Sequence, residues 1–93
     1  MAGFDWNVEK NEWLVKCRGI SFERVVFLIE QGGLLDVVAH HNPAKYPDQK
    51  IFIVEIDNYA WLVPFVESSE GCFLKTIIPI RKATKHYLEV SDE

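Results

Sequence analysis

The sequence predicts an α+β domain, a helical hairpin packed on an antiparallel sheet in the order β-α-α-β-β-β-β-α. Three observations carry this. Apolar residues repeat at helical spacing as far as Gly32-Gly33, and from Leu34 onward they fall into short runs rich in Val, Ile and aromatics. Residues that stop or turn a chain stand between these segments. At 93 residues the chain has room for one domain, spanning residues 1–93.

The elements follow in order. Phe4-Asp5-Trp6 reads as a short leading strand, after which Asn7 caps a helix over residues 8–18 that Gly19 stops. Lys16 and Arg18 suit the negative pole of that helix, and Trp13, Leu14 and Cys17 are its expected apolar stripe. Ser21 opens the second helix, its hydroxyl placed to accept from the amide of Glu23 or Arg24. Phe22, Val25, Val26 and Ile29 follow the i, i+3, i+4, i+7 pattern, and Gly32-Gly33 ends it. The joint at Gly19-Ile20 is too short for anything but a hairpin of helices. Strands are expected over residues 34–39, 50–56, 59–66 and 72–78. Asp57-Asn58 makes a two-residue hairpin turn, Ser68-Ser69-Glu70-Gly71 makes the next, and residues 41–49 form the one long loop. Pro64 and Pro79 lack a ladder donor and belong at an edge, a bulge or a strand end. A last helix is expected over residues 82–88.

Composition sets the class. An apolar fraction of 48% with 26% charged residues is that of a globular chain, not a disordered one. No apolar run reaches the roughly 20 residues of a membrane span, and the N-terminus has no signal-peptide pattern, so the expected location is cytoplasmic. Cys17 and Cys72 form no Cys-x-x-Cys pattern and are expected to be buried thiols. In extended chain the adjacent His40 and His41 would point to opposite faces, and no Cys, Asp or Glu stands at ligand spacing. No metal and no cofactor is expected. There is no Gly-rich phosphate loop, Ser–His–Asp arrangement or dinucleotide fingerprint either.

Charge is unevenly spread. The net charge is −4, and residues 1–70 carry eleven acids against six bases. Residues 75–87 carry Lys75, Arg81, Lys82 and Lys85, with His86 and no acid, so a polyanion site belongs near the C-terminal end. Arg81 and Lys82 open the expected last helix at its positive pole, where each cation costs about 0.3–1 kcal/mol. Arg81 and Lys85 repel at i, i+4 as well. A helix with its charges reversed breaks a local rule, and cations beside free helix-terminal amides suit a phosphate. Lys45, Tyr46 and Lys50 interleave basic and aromatic groups around the long loop, a pattern that holds phosphates and stacks bases. An unperturbed histidine changes charge near neutrality, so His41 and His86 are the candidates for proton transfer.

Two blocks carry a family resemblance. Phe4-Asp5-Trp6-Asn7, with Lys10, Asn11 and Arg18-Gly19-Ile20-Ser21-Phe22-Glu23, and Phe73-Leu74-Lys75-Thr76-Ile77-Ile78-Pro79, followed by Arg81-Lys82-Ala83-Thr84-Lys85, resemble the opening and closing signatures of BrnT-type toxins. The resemblance implies a RelE-like fold and an RNA-cleaving toxin, ribosome-linked or ribosome-independent, silenced by an antitoxin encoded beside it. It also implies a ribbon-helix-helix antitoxin, through which alone the complex contacts operator DNA. Arg81 matches the family's key arginine, Lys82 its basic neighbour and Lys50 a basic position on the second sheet strand. Ile80 stands where the family usually has Ser or Ala, and Cys17-Arg18 where it often has Lys-His. The expected chemistry is metal-independent attack by a ribose 2′-hydroxyl, with Arg81 stabilising charge and Lys82 or Lys50 assisting. Lys45, Tyr46, Lys75 and Lys85 position the RNA. The alternative is a catalytically inactive module of the same fold that binds an antitoxin or another protein.

Overall fold

The computed structural model describes residues 3–39, 42, 44–82 and 84. Strand β1 (Gly3–Trp6) leads into helices α1 (Val8–Arg18) and α2 (Phe22–Glu30). Strands β2 (Leu34–Ala39), β3 (Gln49–Ile56), β4 (Tyr59–Ser68), β5 (Gly71–Leu74) and β6 (Ile78–Pro79) follow. The result is a mixed α+β fold, two helices on a mostly antiparallel sheet.

The local signals act as their chemistry dictates. The Asn7 side chain accepts from the Lys10 amide at 2.9 Å, and Gly19 takes the left-handed conformation, φ 70°, that ends α1. The Ser21 hydroxyl accepts from the Arg24 amide at 3.1 Å. Asn11 joins the two helices: its Oδ1 accepts from the Phe22 amide at 2.7 Å and its Nδ2 donates to Glu23 at 2.8 Å. Asp57 and Asn58 both have positive φ, 54° and 66°, which a tight hairpin turn between β3 and β4 requires.

The sheet order is β1-β5-β4-β3-β2, with β6 also paired to β4. The expected antiparallel meander is present as β2-β3-β4-β5, and the departure is the added β1, which lies beyond β5. The helical hairpin carries the chain from one edge of the sheet to the other, so β1 lies far from β2 and pairs in parallel with β5. That pairing needs a glycine at position 71, where φ is 131° and an added Cβ would meet the Gly3 carbonyl oxygen at 2.3 Å. On the outermost strands, Asp5 accepts from the Trp6 amide and Asp36 from the Val37 amide, each at 2.8 Å. An amide so occupied is not offered to a further strand.

The expected strand over residues 72–78 is broken into β5 and β6. The break faces Pro64, which lies within β4, and it has a local cause. The Pro64 carbonyl accepts from the Lys75 amide at 2.8 Å, but Pro64 has no N–H to return, and the ladder lapses until Ile78 pairs with Leu62.

One face of the sheet holds the main core. Leu14, Phe22 and Val25 from the helices meet Phe52, Val54, Val63, Phe65 and Leu74 from the strands, with Phe52 and Phe65 stacked at 3.9 Å. Helix α1 contributes Leu14 alone to the fully buried set; Trp13, 43% exposed, and Cys17 face outward. The expected three-residue stripe is therefore a single line of contact, because α1 meets the core along one edge. Its two flanking residues are left to solvent. The opposite sheet face carries a smaller cluster, Ile53 and Ala60 with Leu35, Val38, Leu62 and Ile80. No helix among the described residues is long and apolar enough to cross a membrane.

Candidate functional site

The path of the chain after β5 decides where Arg81 stands. Residues 75–80 run along β4, and the Ile80 amide donates to the Ala60 carbonyl at 3.1 Å. Ile80 then turns its side chain into the small reverse-face cluster. A helical turn begins immediately, with the Thr84 amide bonded to the Ile80 carbonyl at 3.1 Å. The Thr84 hydroxyl, on a residue only 3% exposed, accepts from the Ala60 amide at 2.8 Å and donates to the Ile80 carbonyl at 3.0 Å. Thr84 thus pins this turn to the start of β4 from both directions.

On that pinned turn Arg81 and Lys82 are exposed, and neither makes a hydrogen bond or ion pair among the described residues. The rest of the expected helix over residues 82–88, with Lys85 and His86, lies outside the described residues, as does His41. Ile80, partly buried, packs against the reverse-face cluster, so the bulky group before the arginine is an anchor for the turn.

The other cations are placed differently. Lys50 opens β3 and its Nζ lies 3.4 Å from Glu67 Oε1 on β4, an exposed pair. Lys50 is opposite Phe65, whereas Arg81 follows a residue bonded to Ala60. The offset of five positions along β4, from Ala60 to Phe65, sets the two about 17 Å apart along the strand direction. The structure brings Arg81 and Lys82 together and does not bring Lys50 to them. Lys45 and Tyr46 sit at the Lys50 end, the ammonium 5.5 Å from the ring, with both amides bonded to the Asn42 carbonyl. Lys75 is exposed between the two ends, its ammonium 5.8 Å from the Phe73 ring.

Two cavities flank the sheet, and neither is lined by a sequence-predicted site residue among those described. One of about 320 Å³ at the β1–β5 edge carries Asp5, Ser68 and Glu70; another of about 370 Å³ carries Arg24, Glu55 and Asp57. Their acids disfavour a polyanion. Among the described residues no group of His, Cys, Asp or Glu is disposed to hold a metal ion.

The cysteines depart from expectation. Both are free thiols, Cys17 is exposed and Cys72 is half-buried beside Glu67 and Lys50. Burial raises the Cys72 thiol above its usual range, Glu67 raises it further, and Lys50 lowers it in part. A raised thiol favours the neutral form in the fold, so its stabilising contribution is lost as pH rises past the ordinary thiol range. Alkylation by iodoacetamide is expected to modify Cys17 first and Cys72 much later, which peptide mass spectrometry over time reads directly. Equal rates would contradict the placement.

Thr84 is the functional-region residue that sequence reasoning missed. A Thr in the first turn of a helix can bond back to the i−4 carbonyl, here that of Ile80, but its second bond, to Ala60, spans 24 positions and has no local signal. Thr84→Val removes the acceptor for a buried amide and is expected to cost about 1–3 kcal/mol, read from the urea midpoint. Thr84→Ser keeps the hydroxyl and should lose less.

No protein-family model, curated protein or solved structure matches the chain.

Proposed function

We propose that the chain is a metal-independent endoribonuclease, the toxin of a toxin–antitoxin pair, with Arg81 as its charge-stabilising group. The observation that carries this is the pinned turn holding two adjacent, exposed cations, Arg81 and Lys82, with no carboxylate on either among the described residues. A surface cation with no ion partner among the described residues, on a fixed backbone, is preorganised for an external anion. The resemblance of the two terminal blocks to BrnT-type toxins, with a RelE-like fold, supports the same reading.

The chemistry follows from the substrate. A ribose 2′-oxygen bonds to the adjacent phosphorus, the bond to the 5′-oxygen breaks, and the products end in a 2′,3′-cyclic phosphate and a 5′-hydroxyl. The 2′-proton goes to a base and the leaving oxygen gains a proton, roles proposed for His41 and His86. The phosphorane between these states carries extra negative charge, which Arg81 stabilises with Lys82 assisting. Lys75, and at the far end of β4 Lys45, Tyr46 and Lys50, are proposed to hold flanking RNA. Neutralisation falls to a ribbon-helix-helix antitoxin.

Induced expression in a bacterial host tests the reading. Growth arrest is expected from the unsubstituted chain and none from Arg81→Ala at equal protein level; arrest by both removes Arg81 from the chemistry. A second reading, a non-catalytic module that binds an antitoxin or another protein, is favoured by the Lys50–Glu67 pair, which neutralises one of the expected RNA contacts. It predicts no Arg81-dependent RNA cleavage with or without ribosomes.

A further inference from the structure

Helix α1 leaves a tryptophan in solvent, and the groups around it are mostly cations. Trp13 is 43% exposed. The Lys10 ammonium lies 4.4 Å from its ring centroid and the Arg18 guanidinium 5.1 Å. On a helix the neighbours of Trp13 at three and four positions are Glu9, Lys10, Lys16 and Cys17. With Arg18 included, three cations face one carboxylate at this point of a chain whose net charge is −4.

An exposed indole between cations fits two kinds of occupant, and the size of the apolar surface chooses between them. Of the other exposed apolar residues of α1, Val8, Val15 and Cys17, only the small Cys17 lies beside Trp13. At about 100° per residue, Val15 lies about 160° from Trp13 around the axis and Val8 about 140°. The apolar patch is therefore one ring wide, far short of the roughly 800 Å² a stable protein partner covers. One ring does match one base.

We infer that Trp13 is a stacking platform for an unpaired base of single-stranded RNA, the base displacing a cation from over the ring, with Lys10 and Arg18 then holding the adjacent phosphates. This rests on the ribonuclease reading for the identity of the polymer. Arg18 also ties the platform to the proposed chemistry: its Nη1 donates to the Ile77 carbonyl at 2.6 Å. Ile77 leads through β6 to Arg81, four residues and about 13 Å further on. Double-stranded RNA hides its base faces and does not engage the ring.

Binding is measured separately from cleavage with a 2′-O-methyl oligouridylate of about ten nucleotides, which lacks the attacking hydroxyl, by fluorescence anisotropy in EDTA. Trp13→Ala is expected to weaken binding about 5- to 150-fold, with Trp13→Phe recovering much of the loss. Lys10→Ala should flatten the salt dependence. On cleavable RNA, Trp13→Ala should raise KM and leave kcat unchanged. A Trp13→Ala protein with unchanged melting temperature and unchanged oligonucleotide affinity overturns the proposal, as does failure of the unsubstituted protein to bind. Arg81-dependent cleavage without any Trp13 effect removes the platform and keeps the nuclease. Trp13-dependent binding without cleavage keeps the platform and removes the nuclease. If Trp13→Ala abolishes capture of an acidic peptide while RNA affinity stays the same, the face serves a protein instead.

Discussion

Arg81→Ala is expected to slow RNA cleavage about 100- to 1,000-fold, the loss usual for one preorganised charge or donor at a developing anion. The fold should not notice. Arg81 is exposed and makes no hydrogen bond or ion pair among the described residues, and its turn is held by Thr84 and Ile80 instead. A surface change of this kind alters stability by about 0.5 kcal/mol or less. Activity and stability therefore separate at this position, which distinguishes a charge stabiliser from a structural arginine. Arg81→Lys keeps the charge but loses the planar fork that matches a phosphate, so it should recover only part of the rate. Single-turnover cleavage and thermal melting on the same preparations check both halves. A parallel loss of melting temperature would make Arg81 structural.

The largest expected loss of stability is at Phe22. Its side chain is fully buried, stacks on Trp6 with centroids 5.6 Å apart, and its amide is capped by Asn11. Truncation to Ala opens a cavity where β1, α1 and α2 meet, at about 3–5 kcal/mol. A domain of this length has about 5–14 kcal/mol in total, so the melting temperature should fall by about 15–30 °C. Phe27, on the same helix but 59% exposed, is the control. Phe27→Ala should move stability by about 0.5 kcal/mol at most. If the two substitutions cost the same in calorimetry, the helical layer is not packed as described.

These contrasts trace how far sequence reasoning reaches. Asn7, Gly19, Ser21 and the Asp57-Asn58 turn are local devices, each acting on backbone groups within a few residues, and each was legible. The partner of β1 was not. Alternation in Phe4-Asp5-Trp6 says which side chains share a face and nothing about which strand lies alongside. The break after Leu74 was hidden for a related reason, since its cause, the missing amide of Pro64, sits on a neighbouring strand. In α1, spacing correctly placed Leu14 inside but could not say how wide the contact would be, and Trp13 and Cys17 fell outside it.

The candidate site divides along the same line. Exposure of Arg81 and Lys82 followed from local charge pattern. The capture of Lys50 by Glu67, seventeen positions away, and the anchoring of the turn by Thr84 are non-local. His41, His86 and Lys85 lie outside the described residues.

The central claim is that the Arg81 turn stabilises a pentavalent phosphate without a metal. End-group analysis of a defined RNA after incubation with purified protein in excess EDTA tests it most directly. The account predicts fragments ending in 2′,3′-cyclic phosphate and 5′-hydroxyl, absent with Arg81→Ala. Intact RNA under these conditions, with ribosomes present or absent, or equal cleavage by the Arg81→Ala protein, would contradict it.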